Sequence, residues 1–444
     1  GPVVFKISDG TYTSSVELYN AIPGASAINT ITFESASRDS SKVIMVQKNG
    51  RSSFLIATDY IIIKNLGFID SIKGVFTAYS IQFQKAAKNN VISNCYFKSK
   101  IGEQNSIRIE TTVTSNTTLN LLIKNNYFEV KEPFVAPYSS RIRVVNSSTN
   151  FLVTGGRIAG NFFKNIDGAI AINGIDSIDI SKNIITGYAP LKPISYNSTG
   201  VLLNGKISKV NISSNQFSDI DIAILLYDIG KGIDRKITNN FMLVKKNAIA
   251  TANLASQFEN FEIYNNSMSS ASNGNNSLLS FLVGKNVSLK NNILTLNGHG
   301  SLMQLNSLEN SIDYNNYYTS SDTFMIVNGT LYNNFKQYTS AIKQDLHSLN
   351  FKPNFVSATD LHLNNDLNLD NRGIPINGIT TDMDGEIRNK IVPDMGADEF
   401  KALHQPNDAA AVSIYTDSNC DGSLATMYAK LYNNGTNTLN NVTI

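Results

Sequence analysis

The chain has 444 residues, 42% of them hydrophobic, with a formal charge of +2. That near-neutral balance gives no basis for a nucleic-acid partner or for attraction to an acidic membrane. No apolar run is long enough to span a bilayer, and the two cysteines, Cys95 and Cys420, are too sparse and too far apart to imply a disulfide framework.

Residues 1–60 read as an N-terminal cap. Val3-Val4-Phe5-Lys6-Ile7 and Ile31-Thr32-Phe33-Glu34 are strands, and Asp9-Gly10 is a turn. From residue 61 to 318 one unit recurs. The segments SNCYF, NNYF, GNFF, KNII, SNQF, NNFM, NNSM, NNIL and NNYY place an anchor at Cys95, Asn126, Asn161, Asn183, Asn215, Asn240, Asn266, Asn292 and Asn316, 22 to 35 residues apart. Asn65 in KNLGF extends the series backwards. An alternating apolar segment precedes each anchor, as in Ile178-Asp179-Ile180, Val210-Asn211-Ile212, Phe261-Glu262-Ile263 and Val287-Ser288-Leu289. That alternation is a half-buried strand, and Asn with its neighbours makes the turn after it. Further short apolar runs follow, such as Ala169–Ile172 and Ile222–Leu226. Two or three short strands per period of this length make one coil of an all-β parallel β-helix. Stacked coils bring equivalent residues about 4.8 Å apart, so the anchor asparagines are expected to form a side-chain amide ladder, with the following apolar residues stacked inside. Ten coils would make a rod on the order of 50 Å long.

Residues 319–400 change character and read as a C-terminal cap. Phe335–Leu349 suits a short helix, and the stretch ends in TDMDGEIRNKIVPDMGADEF. Residues 404–444 read as the first strands of an incomplete β-sandwich, with Ala410–Ile414 and Ala425–Ala429 as strands and Asn434-Gly435 as a hairpin turn. The N-x-S/T triplets at Asn116, Asn146, Asn197, Asn211, Asn286 and Asn328 are read as by-products of the Asn-rich composition.

The opening GPVVFKISDGTYTSSVELYNAIPGASAINTITFESAS, the Asn-turn coils and the closing TDMDGEIRNKIVPDMGADEF resemble the right-handed parallel β-helix proteins secreted by Bacteroidota, related in fold to pectate lyases. The tail NDAAAVSIYTDSNCDGSLATMYAKLYNNGTNTLNNVTI is similar to the start of an immunoglobulin-like adhesion module. The resemblance implies export by the type IX secretion machinery, a secreted or cell-surface location, and a piece of a longer polypeptide. The fold hosts lyases, hydrolases and adhesins alike, so it does not decide function.

Charges in coil register are the candidates for chemistry. Asp167, Asp221 and Lys246 each lie four residues beyond an apolar anchor, with Ala189 as the register position of the intervening coil. Asp219 shares a face with Asp221 if the strand is extended, and Asp228, Lys231, Asp234 and Arg235 follow in a loop. A lyase would use Lys246 or Arg235 as base, with Asp167, Asp219 and Asp221 as a binding or Ca²⁺ group. The bland alternative is a turn aspartate beside a solvated lysine. In the cap, Asp384, Arg388, Asp394 and Glu399 read as a salt-bridge pin, with Asp382 and Asp384 as weak Ca²⁺ candidates lacking the full loop pattern. Asp345-Leu346-His347 and Asp360-Leu361-His362 share a pattern in which turn or surface roles outrank a metal site. Tyr188, Tyr227, Tyr317 and Tyr318 are available to stack on sugars. The reading is an extracellular module presenting an elongated surface for adhesion or glycan binding, with no cofactor and no catalytic role. The alternative is a polysaccharide lyase or glycoside hydrolase.

Overall fold

The repeat resolves into three short strands per coil. The computed structural model describes residues 1–47, 51–70, 79–85, 87–101, 106–111, 113, 115–132, 140–147, 152–188, 197–205, 207–252, 258–271, 274–281, 284–306, 310–416, 427–433 and 435–440. The strand before each anchor belongs to sheet 1, a 12-stranded sheet in which chain order and spatial order coincide and every neighbour is parallel. The strand after the anchor stacks in sheet 2, as in Tyr96–Ile101, Tyr127–Glu132, Phe162–Ile166 and Ile184–Gly187. The third stacks in sheet 3, as in Ile107–Thr111, Ile142–Asn146, Gly168–Asn173 and Thr199–Asn204. Gln216–Tyr227 and Phe241–Thr251 run through both sheets without a break. The fold is a parallel β-helix.

Period-two alternation makes the core. The inward residue of sheet 1 is Ile63, Ile92, Ile123, Ile158, Ile180, Ile212, Ile237, Ile263, Leu289 and Ile312 in successive coils, all buried. Sheet 2 turns Phe68, Phe97, Phe128 and Phe163 inward, with centroids 4.9, 4.7 and 4.7 Å apart and planes within 9°. Offset stacking of this kind adds about 0.5–1.5 kcal/mol per pair beyond the area buried.

Two adjacent residues divide the work of the turn. The residue before the anchor takes left-handed backbone: Asn94, Asn125, Gly160, Lys182, Ser214, Asn239, Asn265, Asn291 and Tyr314 all have φ between 52° and 64°. The anchor then projects its amide inward. In Asn126, Asn161, Asn183, Asn215, Asn240, Asn266 and Asn292, Oδ1 accepts the main-chain N–H of the preceding rung, and each Nδ2 donates to the next Oδ1 at 2.9–3.0 Å. Nδ2 also donates to the carbonyl of a sheet 1 core residue, such as Ile158 or Ile212. Every amide hydrogen therefore has an acceptor in a buried site, where an unpaired one would cost about 1–3 kcal/mol.

Three boundaries differ from the sequence expectation. The last rung is Asn315, which accepts from Asn292 N and Nδ2 at 3.0 and 2.9 Å. Asn316 stands one place on, in register with Ile293, because Tyr314 takes the left-handed position. Asn65 likewise belongs to the left-handed column, with φ 55°. The coils also begin earlier than residue 61: Val3–Ile7 pairs in parallel with Ile31–Ser35, and that strand with Ile61–Lys64, so residues 1–60 form coils.

Beyond sheet 1, the helix spans Phe335–Ile342, capped by Asn334 Oδ1 on Gln337 N and by left-handed Lys343. Tyr338 from this helix and Tyr317 both donate to the buried Asp345 carboxylate, at 3.1 and 2.6 Å. Asp345 also accepts from Ser348 Oγ, which in turn receives Asn315 N–H. The ladder thus ends on an acid whose pKa burial pushes up to about 6. The chain then runs back along the coils. Asn291 bonds both N and O of Ile374, Asn239 Nδ2 reaches Thr381 O at 2.8 Å, and Ala397 N donates to Ser267 Oγ. Gly396, at φ 94°, lies so close that a Cβ would sit 2.6 Å from Ile293 Cδ1. This return segment buries Phe241, Ser267, Ile293 and Asn316. Ala409–Thr416 and Met427–Asn433 form an antiparallel pair. Gly435 follows the second strand and so does not connect the two, while Asn434, Ala425 and Cys420 lie outside the described residues.

Candidate functional site

The register charges sit at the corner between sheets 2 and 3. Backbone bonds from Thr199 to Asp167 and from Ile222 to Ser198 place Asp167, Ser198, Asp221 and Lys246 in one column. Ser198 therefore fills the place expected for Ala189, which lies outside the described residues. Asp221 Oδ2 accepts both N and Oγ of Ser198 at 2.9 Å, and Lys246 Nζ stands 3.4 Å from Asp221 Oδ1 and donates to Asn197 Oδ1. Asp167 is drawn the other way, 3.8 Å from the fully buried Arg141, whose Nη1 donates to Ser99 Oγ. Burial lowers the Arg141 pKa, with Asp167 and Asp70 opposing the shift. Asp219 is exposed, at φ 54° on a strand irregularity, so the backbone is not extended between it and Asp221.

Arg235 has no access to solvent. Its guanidinium donates to the carbonyls of Ile207, Ile229, Gly230 and Glu259, and it packs 5.3 Å over the Phe261 ring. It satisfies a turn from inside and cannot serve as a base. Tyr317 is likewise buried in the core, unavailable for a sugar.

In the cap, Arg388 Nη1 pairs with Glu399 Oε2 at 3.1 Å while Nη2 donates to Asn239 Oδ1 and Gly396 O. Glu399 accepts the N–H of Asn389 and Asp394, and Asp394 accepts those of Asn371 and Phe400. Burial raises the Asp394 pKa to about 8, against those donors. Asp382 takes four main-chain donors: Asp384, Gly385 and Glu386 on Oδ1 and Glu399 on Oδ2. Those four bonds tie Asp382 into a turn knot. Asp384 instead meets His362 Nε2 at 2.9 Å.

A candidate ligand site lies elsewhere. A cleft of about 250 Å³ lies between the outer face of sheet 1 and residues 376–381 of the return segment. Asn211, Ser213, Lys236, Thr238, Glu262 and Tyr264 floor it, and the opposing wall is Ile376 to Thr381. Asn211, Lys236 and Glu262 are one outward column, which continues as Asp179 and Arg157 below and Ser288 above. Its charges are paired, Lys236 with Glu262 at 3.5 Å and Arg157 with Asp179 at 3.0 Å. Asn211 Nδ2 donates to Asp179 at 2.8 Å. Burial raises the Tyr264 pKa above the ordinary phenol range. The outward polar residues of Val210-Asn211-Ile212 and Phe261-Glu262-Ile263 carried a signal for this floor. The wall did not, because it comes from a segment more than a hundred residues away.

Among the described residues no helix is long and apolar enough to cross a membrane. No family model matches the chain, and no curated protein matches it. Among solved structures it is similar to XylC in complex with xylose, at 12% identity and a TM-score of 0.40, covering 79% of this chain and 67% of that one. It is also similar to a periplasmic alginate epimerase, AlgG, at 11% identity and 0.33, covering 72% and 78%. A third similarity is to the catalytic domain of a GH87 alpha-1,3-glucanase in complex with nigerose, at 11% identity and 0.28, covering 80% and 64%.

Proposed function

We propose that this chain is an extracellular, cell-surface module that binds polysaccharide in the cleft between sheet 1 and residues 376–381. The lining carries the reading. Amides and hydroxyls match a sugar's hydroxyls, which donate and accept in equal measure. The column repeats once per coil, so an extended chain finds successive contacts at about 4.8 Å intervals. Paired charges favour a neutral or weakly charged glycan. The resemblance of the closing motif supports export by the type IX route, and residues 404–444 fit the start of an immunoglobulin-like adhesion module.

A binding role is favoured over catalysis by the chemistry of the lining. Glycoside hydrolysis uses two carboxylates flanking the bond, and Glu262 is the only one among the described residues of the cleft. The lyase alternative rests on Lys246, whose side chain is 38% exposed. Its amine is already held by Asp221 and Asn197, which opposes a free base. A glycan array probed with the purified chain tests the reading: binding to a defined polysaccharide class is expected, weakened in Asn211→Ala. Incubation with acidic polysaccharide should release no ultraviolet-absorbing unsaturated ends. Their appearance, and their loss in Lys246→Ala, would replace binding with lyase chemistry.

A further inference from the structure

The return segment brings one imidazole among three carboxylates. His362, in the strand Asp360–Leu363, presents Nε2 2.9 Å from Asp384 Oδ2, and a carboxylate oxygen of Asp398 lies within 4.8 Å of both ligand atoms. On the other side of the ring, Nδ1 pairs with Asp360 Oδ1. The ring edge packs on Phe241 at 4.7 Å between centroids, which fixes its plane. Asp398 is only 6% exposed. Its Oδ2 accepts Leu363 N–H, and among the described residues no donor bonds its other oxygen. Asp382, the remaining acid of the loop, is saturated by main-chain donors and contributes no ligand.

We propose that His362, Asp384 and Asp398 form a binding site for a first-row divalent transition metal, Zn²⁺ foremost. Four features point the same way. A carboxylate on Nδ1 holds the tautomer that directs the Nε2 lone pair outward, the usual orienting partner of a metal-bound histidine. Ligand atoms about 2.1 Å from a tetrahedral metal lie roughly 3.4 Å apart, within small side-chain adjustment of the 2.9 Å His362–Asp384 separation and inside the 4.8 Å that bounds all three. A buried carboxylate with an unbonded oxygen completes a three-ligand face, and the half-exposed Asp384 leaves the remaining positions open to water. An imidazole nitrogen selects borderline metals over Ca²⁺, which takes oxygen ligands. The consequence is mechanical. The three ligands come from the strand at 360–363, the loop at 382–388 and the closing PDMGADEF, so one ion clips the whole return segment against Phe241.

The test is metal uptake by the intact chain after chelator treatment, followed by titration calorimetry with Zn²⁺ and visible spectroscopy with Co²⁺. One Zn²⁺ per chain is expected, not displaced by excess Ca²⁺, with a higher Tm in the loaded protein. His362→Ala should abolish uptake, Asp360→Ala should weaken it about 10- to 100-fold, and His347→Ala should leave it unchanged. If His362→Ala does not fold, Asp384→Ala, altering an exposed side chain, decides by the same criterion. Absence of stoichiometric uptake, or uptake that survives His362→Ala or Asp384→Ala, overturns the site. Uptake lost in His347→Ala instead moves it to the His347–Asp313 pair and overturns it equally.

Discussion

In the coils from Cys95 to Asn183 the residue following the ladder position is Tyr96, Tyr127, Phe162 or Ile184, and none of these is fully buried. Tyr127 and Phe162 lie stacked at 5.2 Å and 10°, with Tyr96 tilted against Tyr127. In the coils from Asn240 to Asn315 the same position holds Phe241, Ser267, Ile293 or Asn316, each buried under the return segment. Sheet 1 differs in parallel: its outward column is Val4, Thr32, Ile62, Val91 and Leu122 early, and Arg157 to Ser288 later. The internal ladder is the same in both regions. Docking of the return segment is therefore set by surface residues flanking the ladder. Asn239, Asn265 and Asn291, in left-handed backbone, turn spare amides outward as hooks, whereas Gly160, Lys182 and Ser214 have none to offer. Asn94 and Asn125 show that the amide alone does not suffice.

The largest expected effect comes from removing the pin. Arg388→Ala leaves Glu399 and the Asn239 amide without their buried partner and should cost about 3–5 kcal/mol. Hydrogen exchange should then rise over residues 239–316 and stay unchanged over 95–185. A uniform rise would break the distinction between the two regions. The next effect is a pH dependence peculiar to the covered end. Asp345 holds its proton up to about pH 6 in the folded chain, against about 3.9 for an ordinary aspartate. The native state thus binds more protons between about pH 4 and 6, so this contribution is complete below that window and is lost as pH rises through it. The loss is worth roughly 3 kcal/mol. Urea midpoints measured across the window should fall for the parent relative to Asp345→Asn, and parallel curves would contradict it. The smallest effect tests what the regions share. Asn161→Ala and Asn240→Ala should each cost about 1–3 kcal/mol, in similar amounts. A neutral result for either would mean that the ladder is not continuous in energy.

Periodicity made the coil legible, since it follows from alternation and from Asn, both local properties. It misplaced Asn316 by one residue because NNYY offers two amides, and only the left-handed Tyr314 decides between them. Arg235 read as an exposed loop charge because its role depends on four carbonyls from other coils. Asp221 and Lys246 were visible as a register pair, but Ser198 was hidden by a loop of uncertain length. The cleft, the Asp345 terminus and the His362 cluster all depend on where residues 345–400 fold back. No pattern within those residues encodes which coils they cover.

Isothermal titration of the best array glycan against two variants tests most directly where a ligand sits. Asn211→Ala alters the cleft in the covered region, and Tyr127→Ala removes the centre of the aromatic column in the uncovered one. The predicted result is weaker binding by tenfold or so in Asn211→Ala, the loss of a hydrogen bond or two, and unchanged binding in Tyr127→Ala. Binding that survives Asn211→Ala and fails in Tyr127→Ala would contradict the cleft and move the glycan to the aromatic face.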